Sequence, residues 1–68
     1  MLTFGEKLKQ IRSVEGMKPD AFAEKIGICR QLLYQYEADT QKPSLNRLGR
    51  ICRALNMTAE EIMRGVEL

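Results

Sequence analysis

Two thiols and a run of cations are the most reactive groups in this 68-residue chain. Cys29 and Cys52 stand far apart, and the chain contains no His. Two thiols without an imidazole cannot complete a four-ligand zinc site, and the commonest general acid–base side chain is missing. One disulfide is arithmetically possible. The N-terminus, MLTFGEKLKQ, carries no secretory segment, so the expectation is two reduced thiols in a cytoplasmic chain. No nucleophile–base pair is visible, which ranks an enzyme behind any binding function; no metal or other cofactor and no small-molecule ligand is expected. The charge says more by its distribution than by its total of +2. Residues 30–53 carry Arg30, Lys42, Arg47, Arg50 and Arg53 against Glu37 and Asp39, a net +3. Residues 1–29 carry a net +1, and residues 54–68 a net −2. A basic middle suits a polyanion such as DNA, and it also describes an ordinary solvated helix face.

These groups must be positioned by very little protein. Residues 1–68 are enough for one domain, and a hydrophobic share of 44% is enough for one small core. A core of that size leaves only a few kcal/mol of stability, roughly 3–5. Charged residues are 29% and nothing repeats, so a folded chain is expected rather than a disordered one. No apolar run approaches the ~18 residues of a membrane span.

The pattern is that of five short helices with clear stops. Thr3 to Glu6 (TFGE) is a capping box opening a helix with Phe4, Leu8 and Ile11 at helical spacing, closed by Gly16. Pro19 fits a first helical position, Phe22, Ala23 and Ile26 form the next apolar stripe, and Gly27 ends it. A third helix opens at Ile28 and Cys29, with Leu33 and Tyr36 on its inner face. The polar loop ADTQKP follows. Ser44 caps a fourth helix bearing Leu45, Leu48, Ile51, Cys52 and Leu55, which Asn56 can stop. Thr58 to Glu61 (TAEE) is a second capping box, with Met57 and Ile62 placed as a hydrophobic staple. No segment alternates, so no strand is predicted and the fold class is all-α.

Residues 19–38 are the informative unit. Ala23 lies four residues before Gly27, where two steeply crossing helices need a small side chain, and Gly27 supplies the tight turn. Ile26, Ile28, Leu33 and Tyr36 bury both helices. That is the layout of a helix-turn-helix, and an ordinary αα-corner has the same spacings.

At this point the sequence resembles the phage-repressor (Cro/cI-like, XRE-type) helix-turn-helix regulators. The resemblance lies in Leu8 to Arg12 (LKQIR), Gly16, Phe22 to Ile28 (FAEKIGI), Leu33, and Tyr36–Glu37. It continues in Pro43 to Leu45 (PSL) and Arg53 to Leu55 (RAL), so that it runs from about Phe4 to Met63. It implies a five-helix bundle of the lambda-repressor-like type that binds double-stranded DNA sequence-specifically, usually as a dimer. The third helix, Cys29 to Glu37, matches the recognition helix, with Arg30, Gln31, Leu32, Tyr34 and Gln35 at the bases. Arg suits guanine O6 and N7, with Arg30 equally placed for a phosphate; Gln suits adenine N6 and N7, Leu32 suits a thymine methyl, and Tyr34 can also reach a phosphate. Arg12 and Glu37 match a salt bridge that orients this helix. Phosphate contacts are expected at helix ends: Lys18, then Thr40, Gln41 and Lys42 in the loop, then Ser44 and Arg47.

The chain departs from that family in four places. Lys18 and Pro19 replace a Ser or Thr followed by a Gln that reaches a phosphate and braces the recognition helix. Cys29 replaces a Ser or Thr cap, as a Ser-like residue rather than a redox switch. Asp39 stands where Gly often permits a left-handed turn. Cys52 matches a small core position, and no disulfide is expected. The family's homodimers form through the last two helices, here offering Met57, Ala59, Met63, Val66 and Leu68, with Val66 and Leu68 also readable as a frayed tail. The resulting expectation is a cytoplasmic transcriptional regulator, a repressor in type, on a short palindromic site. A protein-interaction module on the same fold, using Leu32, Leu33 and Tyr34, is the competing class.

Overall fold

The computed structural model describes residues 2–66, which form α1 (Phe4–Glu15), α2 (Pro19–Ile26), α3 (Arg30–Glu37), α4 (Leu45–Leu55) and α5 (Ala59–Met63). Both capping boxes form. The Thr3 and Thr58 hydroxyls accept from the N–H groups of Glu6 and Glu61, whose carboxylates accept in return from the Thr3 and Thr58 N–H groups. Ser44 caps α4 through the Arg47 N–H at 3.1 Å. The third helix begins one residue later than its sequence suggests. Cys29 is extended (φ −80°, ψ 159°) and stands outside α3 as an N-cap whose thiol makes no capping bond. Ile28 belongs to the turn before it.

Three helices stop in the same way. After α1, α2 and α4 the chain turns left-handed at Gly16, Gly27 and Asn56. The next N–H then reaches back to the carbonyls of Arg12, Ala23 and Cys52 respectively. After α3 the chain turns left-handed at Asp39, two residues past Glu37, at φ 61°, a conformation Asp tolerates better than most residues, and the Thr40 N–H closes onto the Gln35 carbonyl at 3.0 Å.

Every helix contributes to one core, with Leu8, Phe22, Leu33, Ile51 and Ile62 fully buried. Phe4 meets Tyr36 edge-to-face with ring centroids 6.4 Å apart, tying α1 to α3. Met57 and Ile62 both pack into this core, as their staple positions require. Cys52 is buried and Cys29 exposed, and both thiols are free. Val66 is not a frayed end. It packs against the core and bridges Leu2, whose N–H donates to the Gly65 carbonyl at 2.9 Å. Leu68, the other residue read as tail, lies outside the described residues. That isolated bridge is the only β pairing among them.

Asp39 does more than end a helix. Its carboxylate accepts from the Thr3 hydroxyl at 2.6 Å and from the Gly5 N–H at 2.9 Å, so the end of α3 caps the start of α1. The Thr3 bond foremost, then the Gly5 N–H, holds this carboxyl below the ordinary range. The Thr58 N–H and hydroxyl do the same for Glu61. A depressed folded pKa contributes stability above the unfolded value, and that stability is lost as pH falls through the folded value. Thermal stability should therefore fall below about pH 4. Asp39→Asn should remove part of that acid slope in a melting series; an unchanged slope would contradict the assignment.

Candidate nucleic-acid interface

Helix α3 presents two chemically distinct sides. Leu33 and Tyr36 point into the core. At about 100° per residue, Arg30, Gln31, Tyr34 and Gln35 fall within about 140° of arc on the other side. Arg30, Gln31 and Tyr34 are exposed and Gln35 is half-buried. Tyr34 keeps 48% of its surface in water, a large aromatic area to leave uncovered. Leu32 sits between the two sides, half-buried against the core, so only part of it faces outward.

Two contacts hold this helix at its ends. At the C-terminal end the Arg12 guanidinium grips Glu37 with two bonds, Nε to Oε2 at 2.8 Å and Nη2 to Oε1 at 3.2 Å. The side chains are 18% and 8% exposed, so this is a fixed strut rather than a fluctuating surface pair. The Glu37 hydrogen bond, foremost, raises the Arg12 pKa further above its ordinary value. At the N-terminal end the Arg30 guanidinium rests on Asp20 of α2, Nη1 to Oδ1 at 3.1 Å.

The residues expected at phosphates are spread over three places. Lys18 is the extended residue before α2, exposed and making no side-chain cap. Thr40, Gln41 and Lys42 are exposed in the loop after α3, where the Thr40 hydroxyl already donates to the Gln35 carbonyl at 3.2 Å. Arg47 is half-buried and donates to the Gly27 carbonyl at 3.3 Å, fastening the first turn of α4 to the α2–α3 turn. Ser44 is used as a cap, and its hydroxyl keeps donor capacity. The helix starts without a side-chain cap are those of α2 and α3, so their first N–H groups are left to solvent or to a ligand.

The model of the helix-turn-helix domain family matches residues 5–68. This chain is a helix-turn-helix domain. It is 31% identical over 62 residues to the SPbeta prophage-derived uncharacterized HTH-type transcriptional regulator YonR of Bacillus subtilis, covering 91% of this chain and 57% of that protein. It is 27% identical over 67 residues to the HTH-type transcriptional activator BcrR of Enterococcus faecalis, covering 98% of this chain and 33% of that protein. The chain thus spans only part of the length of the curated relatives it matches. Its fold is that of the phage P22 c2 repressor, solved in complex with a synthetic operator, with a TM-score of 0.81 at 18% identity over 96% of this chain and 98% of that one. The restriction-modification controller protein C.AhdI of Aeromonas hydrophila is also similar, with a TM-score of 0.77 at 24% identity over 87% of this chain and 86% of that one.

In this helix-turn-helix domain the turn itself is α2–Gly27–α3, and the two sides of α3 separate packing from presentation. The family resemblance pointed to these α3 residues and to the Arg12–Glu37 pair, which the structure forms. Sequence reasoning missed three contacts around them: Asp20 on Arg30, Arg47 on the Gly27 carbonyl, and Asp39 on Thr3 and Gly5. Their partners lie from 10 to 36 residues away, and no local periodicity links them. Residue type was the one available signal, since Asp39 at a glycine-favouring turn keeps a carboxylate that glycine lacks.

Proposed function

We propose that this chain, residues 1–68, acts as one DNA-binding domain that lays α3 in the major groove of a short palindromic site and regulates transcription there. The observation that carries this reading is the outward side of α3, with Arg30, Gln31 and Tyr34 exposed and Gln35 half-buried, set opposite Leu33 and Tyr36 on a helix fixed by Arg12 and Glu37. Its chemistry matches base edges, guanine for Arg30 and adenine for Gln31 and Gln35. Leu32 offers its outward part to a thymine methyl, and Tyr34 serves either a base or a phosphate. Lys18, Thr40, Gln41, Lys42, Ser44 and Arg47 grip the backbone and set the register without reading sequence. The relatives named as transcriptional regulators and the operator complex of a similar fold support the same reading.

The site is read by a homodimer in the cytoplasm, each copy taking one half-site. Support for pairing through α4 and α5 comes from the junction between them. There Leu55 and Met57 join Ile11 and the 84%-exposed Val14 of α1 along a groove of about 350 Å³ that Lys7, Gln10 and Glu15 also line. Ala59 is exposed nearby in sequence, whereas Met63 and Val66 are largely committed to the core. Occupancy of a promoter represses by exclusion, and the regulatory sign follows from where the site lies.

Selection from a randomised duplex pool, followed by anisotropy titration at two salt concentrations, tests the proposal. A palindromic motif should emerge. Alanine at Gln31 or Gln35 should relax single base positions by about 1–3 kcal/mol each, with little effect on the salt slope. Weak, salt-labile binding without a motif would overturn it in favour of a protein-binding role.

A further inference from the structure

Arg30 is the first residue of α3 and Asp20 the second of α2, so the ion pair between them spans the open side of the turn. Cys29 makes no side-chain cap, and Pro19 has no polar side chain with which to reach across. A cation in the first turn of a helix meets the positive end of its dipole, and a carboxylate in that position is favoured. Arg30 is therefore unfavourable to its own helix, and Asp20 supplies the compensating charge from α2. One guanidinium nitrogen, Nη1, faces both carboxylate oxygens, at 3.1 and 3.3 Å. The Nε and Nη2 groups make no hydrogen bond among the described residues. The side chains are 59% and 70% exposed, so the pair is a weak tether that a ligand can share rather than a lock.

We infer that Asp20 is a specificity-determining positioning residue, which aims Arg30 at a base and keeps it from acting as a loose cation on phosphate. This rests on the proposed role of α3 at DNA. The carboxylate offsets a charge that would otherwise attract any duplex equally. It also engages Nη1 alone, leaving Nε and Nη2 to present paired donors to guanine O6 and N7. Asp20 touches no base itself.

The test uses the duplex enriched by selection and its single-base variants, at one fixed salt concentration. Asp20→Asn should strengthen binding to unrelated duplex and lower selectivity at the Arg30-dependent base pair about fivefold, the scale of an exposed ion pair. Asp20→Glu should restore the selectivity, and Asp20→Ser should behave like Asn. In an Arg30→Ala background, itself reduced about tenfold at that base pair, Asp20→Asn should change selectivity no further. Equal strengthening on all duplexes would overturn the inference, leaving Asp20 as a simple repulsive charge. So would a loss of selectivity that persists without Arg30. Wild-type selectivity in Arg30→Ala would remove Arg30 from base reading and this inference with it, whereas absence of any selected motif would sink the DNA reading as a whole.

Discussion

Gly5→Ala should lower the melting temperature by roughly 10 °C or more, although alanine is the better helix former. A Cβ at residue 5 would stand 2.4 Å from the Tyr36 carbonyl oxygen and 2.5 Å from that of Glu37. Both neighbours are backbone, at the last turn of α3, and cannot rotate away. Relief requires α1 and α3 to separate, which also stretches the Asp39 bond to the Gly5 N–H and the Phe4–Tyr36 contact. Overpacking of this kind costs about 3 kcal/mol, against a helix-propensity gain of about 1. The net loss of about 2 kcal/mol is a large part of what a domain this small has. Gly49→Ala is the internal control. It lies inside α4 with nothing within 4 Å of the added carbon, and should stabilise by about 0.5–1 kcal/mol. Equal melting points for the two variants would show that α1 does not depend on its close approach to α3. Because α3 carries the proposed reading face, DNA affinity of Gly5→Ala should fall even below its melting transition.

Arg12→Ala should cost about 2–3 kcal/mol, somewhat under the roughly 3–5 expected when one member of a fully buried pair is removed. The reason is asymmetry of burial. Glu37 keeps only 8% of its side chain exposed and would be stranded as a charge, while Arg12 at 18% reaches water more readily. Glu37→Gln should therefore cost less than Arg12→Ala. The double variant should recover part of the Arg12→Ala loss, because the stranded carboxylate is gone. A double-mutant cycle on thermal stability should give a coupling above about 1 kcal/mol. Coupling near zero would reduce the strut to two surface charges.

The helices were legible because their signals are short-range. Thr3 with Glu6, Thr58 with Glu61, and Ser44 with Arg47 act within three residues. Gly16, Gly27 and Asn56 turn the chain left-handed where each apolar stripe ends. Cys29 stands at the cap of the third helix where the family resemblance put a Ser or Thr, and the helix proper starts at Arg30, one residue after the Cys29 start read from the sequence. The frayed-tail reading of Val66 fails because its partner, Leu2, is at the other end of the sequence. The inward side of α3 was readable from the spacing of Leu33 and Tyr36, whereas the outward residues Arg30, Gln31, Tyr34 and Gln35 came from the family resemblance.

The contacts that join α3 and its turns to the other helices belong to another class. Asp39 reaches Thr3 and Gly5, Asp20 reaches Arg30, and Arg47 reaches Gly27, each across a helix crossing. A capping box needs only four consecutive residues at a helix start, since the helix itself brings the partners together. A carboxylate meets an N–H on another helix only after Leu8, Phe22, Leu33, Ile51 and Ile62 have chosen how the helices pack. The string of residues thus specified which segments are helical and which side of α3 faces water. Burial of a shared core specified which distant polar groups hold that side in place.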